Sequence, residues 1–161
     1  MAEAQSVAIV QDVCADLAAI VDRGRIGSVL TNLLTNALEA MPAGGLIQIT
    51  AMAAGRSVII KVRDTGPGVA PEVRDRLFEP FVTRKSNGLG LGLSQARQIV
   101  MDHGGEMWLE SSSRDGACFA FSLPAFFVFN KLRSGSLFSA HPLVRQTQEA
   151  AMITFPFAVV L

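Results

Sequence analysis

The sequence predicts an α/β fold, a two-layer sandwich in which helices cover one face of a mixed sheet. Three patterns predict it. Ile26, Val29, Leu30, Leu33, Leu34, Ala37, Leu38 and Met41 recur at three- and four-residue spacing, the period of an amphipathic helix. Ile47, Ile49 and Ala51 alternate with Gln48 and Thr50, and Val58, Ile60 and Val62 alternate with Ile59, Lys61 and Arg63. That is the period of strands with one face against a core. Leu89, Leu93, Ala96, Val100 and His103 then mark a second helix.

In chain order, residues 7–13 read as a short strand. Residues 23–41 are the first helix, with Asp22 placed to cap its N-terminus. Met41-Pro42-Ala43-Gly44-Gly45 ends it with turn residues. The next two strands are joined by a turn around Gly55. Pro71 to Phe78 is a short helix candidate, and the rest of Gly66 to Gly90 is loop-like. Long irregular loops are often lids, and Phe78 and Phe81 are expected to anchor this one to the body. After the second helix, strands follow near 106–111 and 117–123. Residues 1–125 thus form one domain. Residues 126–161 are an unassigned apolar tail, with runs at Phe126-Phe127-Val128-Phe129 and Thr154-Phe155-Pro156-Phe157 that are an interaction or aggregation hazard if exposed.

The chain has 161 residues and a net charge of zero, so there is no electrostatic case for nucleic acid or an anionic membrane as partner. Cys14 and Cys118 show no metal spacing and read as free thiols of a reducing cytosol. No basic-then-apolar leader opens the sequence, and no run of eighteen apolar residues crosses it. A cytoplasmic segment without membrane contact is the expectation.

Three stretches carry chemistry. Asn32 and Asn36 are four apart, so they share one helix face, and Glu39 lies near that stripe. Buried without partners, such a face is costly. Asp64-Thr65-Gly66-Pro67-Gly68 ends a strand, and Gly88-Leu89-Gly90-Leu91-Gly92-Leu93-Ser94 leads into a helix. Singly, each has a plain alternative: a solvated helix face, an ordinary glycine turn, a glycine-rich loop of no function. Together and in this order they suit a nucleotide. A carboxamide oxygen ligates a divalent metal without adding negative charge. A carboxylate accepts from an adenine amino group. Amides at a glycine-rich helix start attract phosphate.

At these residues the chain resembles the ATP-binding catalytic domain of a bacterial sensor histidine kinase. That family lies within the superfamily of gyrase, the heat-shock chaperone ATPase and the mismatch-repair ATPases. Asn32 to Ala40 resembles the asparagine box, Asp64 to Gly68 the first glycine box, Leu77 to Lys85 the phenylalanine box, and Gly88 to Ser94 the second glycine box. His103-Gly104-Gly105 and Phe119 to Pro124 also fit. The resemblance spans roughly residues 6 to 125, and its style is closest to the nitrogen- and oxygen-responsive kinases. It implies the Bergerat form of the sandwich, with ATP and Mg²⁺ as cofactors.

By the same resemblance Asn36 is the metal ligand and Asp64 the adenine reader. Gly66, Gly68, Phe81, Gly88, Gly90, Leu91 and Gly92 complete the nucleotide contacts. Arg84 and Lys85 are placed to meet the β- or γ-phosphate, with Lys85 the better match. Asn32 stands where the ATPase branches have a glutamate that activates water. An asparagine is no general base at neutral pH, so Asn32 and Lys85 suit a kinase that preserves its γ-phosphoryl group for another acceptor.

That acceptor is expected elsewhere. Sensor kinases carry a phosphorylatable histidine on a helical hairpin, whereas this chain has only His103 and His141, and neither fits. The implied partners are a histidine phosphoacceptor and dimerisation domain and, indirectly, a response regulator. A stand-alone serine kinase of the same superfamily, or a non-catalytic nucleotide-binding module, are the other readings. Two departures stand out: Leu89 replaces a common threonine, and Asp115-Gly116-Ala117-Cys118-Phe119 lacks the usual Gly-Thr.

Overall fold

The computed structural model describes residues 6–14, 17–83 and 88–125, together with the backbone of 151–154. The elements run β1 (Val7–Val13), β2 (Ala18–Val21), α1 (Arg23–Ala40), β3 (Gly45–Ala54), β4 (Ser57–Asp64), α2 (Pro71–Arg74), α3 (Gly92–Asp102), β5 (Met107–Ser113), β6 (Gly116–Pro124) and β7 (Ala151–Thr154). Five strands form one sheet in the order β1-β3-β4-β6-β5. β1 and β3 pair in parallel and the other neighbours antiparallel, so the sheet is mixed, as expected.

Helix α1 follows from its sequence. Asp22 has extended backbone and its side chain accepts the Arg25 N–H at 2.9 Å, which satisfies one of the orphan donors of the first turn. Ile26, Val29, Leu33 and Ala37 are its buried face. They meet Ala96 and Val100 of α3 and the strand residues Ile47, Val58, Ile60, Val62, Phe121 and Leu123 in one core. Those strand residues alternate along β3, β4 and β6, so one sheet face takes both long helices. That packing leaves the flank of α1 that carries Asn32 and Asn36 outside the core.

The structure departs from the sequence expectation in four places. The Pro71–Phe78 helix stops at Arg74. Beyond it Arg76, Leu77 and Glu79 bond carbonyls three residues back, the tighter 3₁₀ spacing that propagates poorly; Leu77 is buried and pins the turn. The second helix begins at Gly92, not at Leu89, because Gly90 takes φ +66°, a left-handed conformation no helix continues. Strand β2 is a short addition between β1 and α1. Finally, Ala151–Thr154 lies within the stretch read as a tail, yet forms β7 and pairs antiparallel with β2, Ala18 opposite Thr154. None of the helices among the described residues is long and apolar enough to cross a membrane.

Candidate nucleotide site

A cavity of about 1060 Å³ opens between α1, α2 and the start of α3. Its α1 wall is Asn32, Thr35, Asn36 and Glu39, at spacing i, i+3, i+4, i+7. This is the polar stripe, on the flank of α1 beside its buried face. The facing wall is Val82, Thr83 and the run from Gly88 to Leu93. The third side is Gly68, Val69, Ala70, Val73 and Leu77, with Gln95 of α3 nearby. One end is therefore apolar and the other is polar backbone and amide. A small ligand with one flat apolar part and one charged part is suited to such a site.

The two long helices are tied together at the rim. Asn32 Nδ2 donates to the Gly92 carbonyl at 3.1 Å. That bond fixes the half-buried Asn32 side chain against the first residue of α3. The first-turn amides of α3 have no intrahelical acceptors, and Leu91, Gly92 and Leu93 all line the cavity. Ser94 Oγ donates to the Leu91 carbonyl at 2.9 Å, which holds the turn from the C-terminal side.

Asp64 is the sole polar or charged residue of the buried class among the described residues, at 5% exposure. It ends β4, and its Oδ1 accepts the Gly66 N–H at 2.8 Å and the Ala117 N–H at 3.2 Å. Both bonds fall on the same oxygen. Oδ2 accepts neither of them. Two backbone amides hold the carboxylate in place and leave one acceptor to spare. Gly68, two residues beyond Gly66, has φ +73°, and a Cβ there would collide with the Ser113 carbonyl and the Ser112 hydroxyl. Glycine is required at this turn.

The expected site residues sort as follows. Asn32, Asn36, Gly68, Gly88, Gly90, Leu91 and Gly92 stand together on the wall. Asp64 and Gly66 do not contribute to the wall itself; they brace the turn that delivers Gly68. Phe81 is not on it either, and the expectation that its ring anchors the loop is corrected. The side chain is 75% exposed. The backbone does the anchoring instead: Phe81 sits at φ +66° and its N–H donates to the Gly90 carbonyl at 3.0 Å. Phe78 does pack on the core, with the Arg97 guanidinium 5.3 Å from its ring centre, a cation–π contact. Arg84 and Lys85 lie outside the described residues, as does His141.

Sequence reasoning gave no role to Thr35, Val69, Val73 and Gln95, and named Glu39 only as lying near the stripe; all five line the cavity. Thr35 and Glu39 extend the Asn32–Asn36 stripe by simple helical spacing, and that signal was present. Val69 and Val73 were hidden inside a stretch without periodicity.

Residues 21–126 match the Histidine kinase-, DNA gyrase B-, and HSP90-like ATPase family. The sensor protein FixL of Bradyrhizobium diazoefficiens is 44% identical over 109 residues, which is 66% of this chain and 22% of that protein. The chain spans between 17% and 33% of the length of the first curated relatives it matches. Among solved structures, the catalytic domain of histidine kinase ThkA superposes with a TM-score of 0.65 at 37% identity, covering 73% of this chain and 78% of that one. Full-length ShkA, solved in complex with AMPPNP, gives 0.66 at 36% identity over 75% of this chain and 26% of that one.

Proposed function

The chain belongs to the histidine kinase-, DNA gyrase B- and HSP90-like ATPase family, as a catalytic domain of the histidine-kinase type, and from that premise we propose that it binds Mg-ATP and donates the γ-phosphoryl group to a histidine on a separate phosphoacceptor domain, as in two-component signalling. The observation that carries this reading is the facing pair of walls: the Asn32–Asn36 stripe of α1 opposite the Gly88–Gly92 loop, tied by the Asn32–Gly92 bond. A response regulator is the indirect partner, and the cytoplasm the setting.

In this reading Asp64 Oδ2 accepts from the adenine amino group while Oδ1 keeps its two backbone donors. Val69, Val73 and Leu77 flank the base with apolar surface. Gly88, Gly90, Leu91 and Gly92 turn backbone amides and the N-terminus of α3 toward the phosphates. Arg84 and Lys85 add positive charge there.

The wall also fits a divalent cation that arrives with phosphates. Asn36 and Glu39 line the cavity three residues apart on α1, and among the described residues no group of three or more His, Cys, Asp or Glu forms a cage of its own. Mg²⁺ is commonly held by one or two protein oxygens plus phosphates and waters, and when bound it neutralises charge on the phosphates. Asn32 holds its amide on the Gly92 carbonyl and is no base, so water in the cavity is not activated by it. The donor stays intact until an acceptor is positioned.

Calorimetry with ATP, with and without Mg²⁺, tests the binding. Affinity between micromolar and millimolar is expected, roughly −8 to −4 kcal/mol. Absence of heat and of a thermal shift at millimolar ATP refutes the site. Labelled ATP with a matching histidine hairpin supplied in trans tests the transfer.

A further inference from the structure

We propose that Ser112 is a positioning residue for the adenine base: its hydroxyl, acting through the backbone of Val69, fixes the turn that sets Asp64 and the apolar side of the cavity around the base. The inference rests on the Mg-ATP reading above and deepens it by naming what sustains the choice of base.

A slip in strand register delivers Ser112. On β6, Ala117, Phe119 and Phe121 are two apart and belong to the core, so they share one face. Met107 and Leu109 of β5 stand opposite Phe121 and Phe119. Continued regularly, β5 would put Ser111 opposite Ala117. The pairing slips between Leu109 and Ser111, and Ser112 stands opposite Ala117 instead. Bulges of this kind re-aim a side chain. Glu110, the residue the ladder skips, is held by Lys61 Nζ at 2.6 Å, and Lys61 alternates with the core residues Ile60 and Val62.

The re-aimed hydroxyl grips one residue of the cavity wall. Ser112 Oγ accepts the Val69 N–H at 2.7 Å and donates to the Val69 carbonyl at 3.4 Å. Arg74 Nε donates to the same carbonyl at 3.1 Å, and its Nη2 to the Ser112 carbonyl at 3.3 Å. The turn that ends at Val69 begins at Asp64, whose Oδ1 accepts the Ala117 N–H. Ser112 and Ala117 face each other across the two strands, so one rung of the sheet holds both ends of the turn. Adenine offers an amino donor to Asp64 Oδ2, whereas guanine offers a carbonyl at the same ring position, which a carboxylate repels. That discrimination needs the base held in register. A turn released from β5 lets the base slide, while the phosphate contacts of the Gly88–Gly92 loop persist.

The test is calorimetry of ATP and of GTP, both with Mg²⁺, on wild type, Ser112→Ala, Ser112→Thr and Arg74→Met, with a thermal melt of each. Wild type is expected to prefer ATP. Ser112→Ala is expected to lower the ATP-to-GTP affinity ratio about three- to tenfold, the worth of the lost hydrogen bond. Ser112→Thr keeps the hydroxyl and is expected to hold the ratio within about twofold of wild type. A merely structural loss weakens both nucleotides alike and leaves the ratio where it was. Should Ser112→Ala fail to fold, Arg74→Met decides: Arg74 is exposed, and loss of its two donors is expected to lower the ratio at least about twofold. An unchanged ratio in the deciding variant, or a threonine variant no better than the alanine one, overturns this inference and leaves the Mg-ATP reading standing. Wild type that binds ATP and GTP equally overturns it too. Wild type that binds neither overturns both.

Discussion

His103 Nε2 accepts the backbone N–H of Asp22 at 3.1 Å, while its Nδ1 lies 2.7 Å from the Ile99 carbonyl. A carbonyl only accepts, so Nδ1 carries the proton; an amide only donates, so Nε2 offers its lone pair. The ring is thus a neutral strut between the C-cap of α3 and the N-cap of α1. Arg25 pairs with Asp102 alongside it. Neither ring nitrogen is left over for phosphorylation. His103→Ala is expected to lower stability by about 1–2 kcal/mol, the cost of orphaning one backbone group and losing one bond, and to leave ATP affinity within about twofold, since His103 is not on the cavity wall. Paired thermal melts and calorimetry check this, and a phosphate label on His103 contradicts the strut.

Asp64 and Asn36 are expected to fail in different ways. Asp64→Asn keeps an Oδ1 acceptor for Gly66 and Ala117, but its second position becomes an amide that donates. Adenine nucleotides are expected to weaken by about 1–3 kcal/mol, the penalty for a poorly matched buried polar group, equally with and without metal. Asn36→Ala is expected to cut the Mg²⁺ enhancement and to change metal-free binding little. Titrations of both variants in EDTA and in Mg²⁺ separate the roles. Equal losses under all conditions contradict the division.

The fold was legible wherever burial imposed a period. Val58, Ile60 and Val62 alternate because β4 turns one face to the helices, and Ile26, Val29, Leu33 and Ala37 repeat because α1 returns the contact. Strands β2 and β7 were not legible. Each has four residues, and their pairing of Ala18 with Thr154 joins segments with no turn between them, so no local pattern records it. Of the site, the glycine turns and the Asn32–Asn36 stripe were visible because chemistry fixes residue type there. Phe81 was misread because its placement comes from a left-handed backbone held by Gly90, and side-chain identity says nothing of that. The two bonds on Asp64 Oδ1 were equally invisible, since one donor, Ala117, is supplied by another strand.

The two cysteines are expected to differ sharply in reactivity. Cys14 is exposed and Cys118 buried. Burial pushes the Cys118 thiol up to about 11, helped by its hydrogen bond to Glu110. Sγ donates to Glu110 Oε2 at 3.4 Å while Lys61 holds Oε1 at 2.6 Å. Only the thiolate attacks alkylating or disulfide reagents. One thiol is expected to react at neutral pH in the native protein and both in denaturant, counted by a chromogenic disulfide. The raised value also sets a sign. From about 9, the ordinary value, to about 11, the unfolded chain has released a proton that the folded chain keeps. Rising pH therefore favours unfolding across that window, and Cys118→Ser, whose hydroxyl does not titrate there, is expected to flatten this part of the stability profile.

Replacing Asn32 tests why this cavity is expected to preserve ATP. The wild-type amide donates to the Gly92 carbonyl; a carboxylate has no proton to give and is repelled by that oxygen. Asn32→Glu is therefore expected to break the tie and turn a basic oxygen into the cavity, one helical turn from Asn36. A positioned general base contributes about 10²–10⁴-fold, so phosphate release from labelled ATP is expected to rise at least about tenfold above the near-zero rate expected of the wild type, even with imperfect geometry. Asn32→Ala separates the two effects: it loses the same tie to α3 but gains no base, and its release rate is expected to stay at the wild-type level while ATP binds more weakly. Equal release from both variants assigns the increase to the broken tie rather than to the carboxylate. Rapid release from the wild type places the chain with the hydrolysing branch of its family and refutes Asn32 as the residue that spares bound ATP from water.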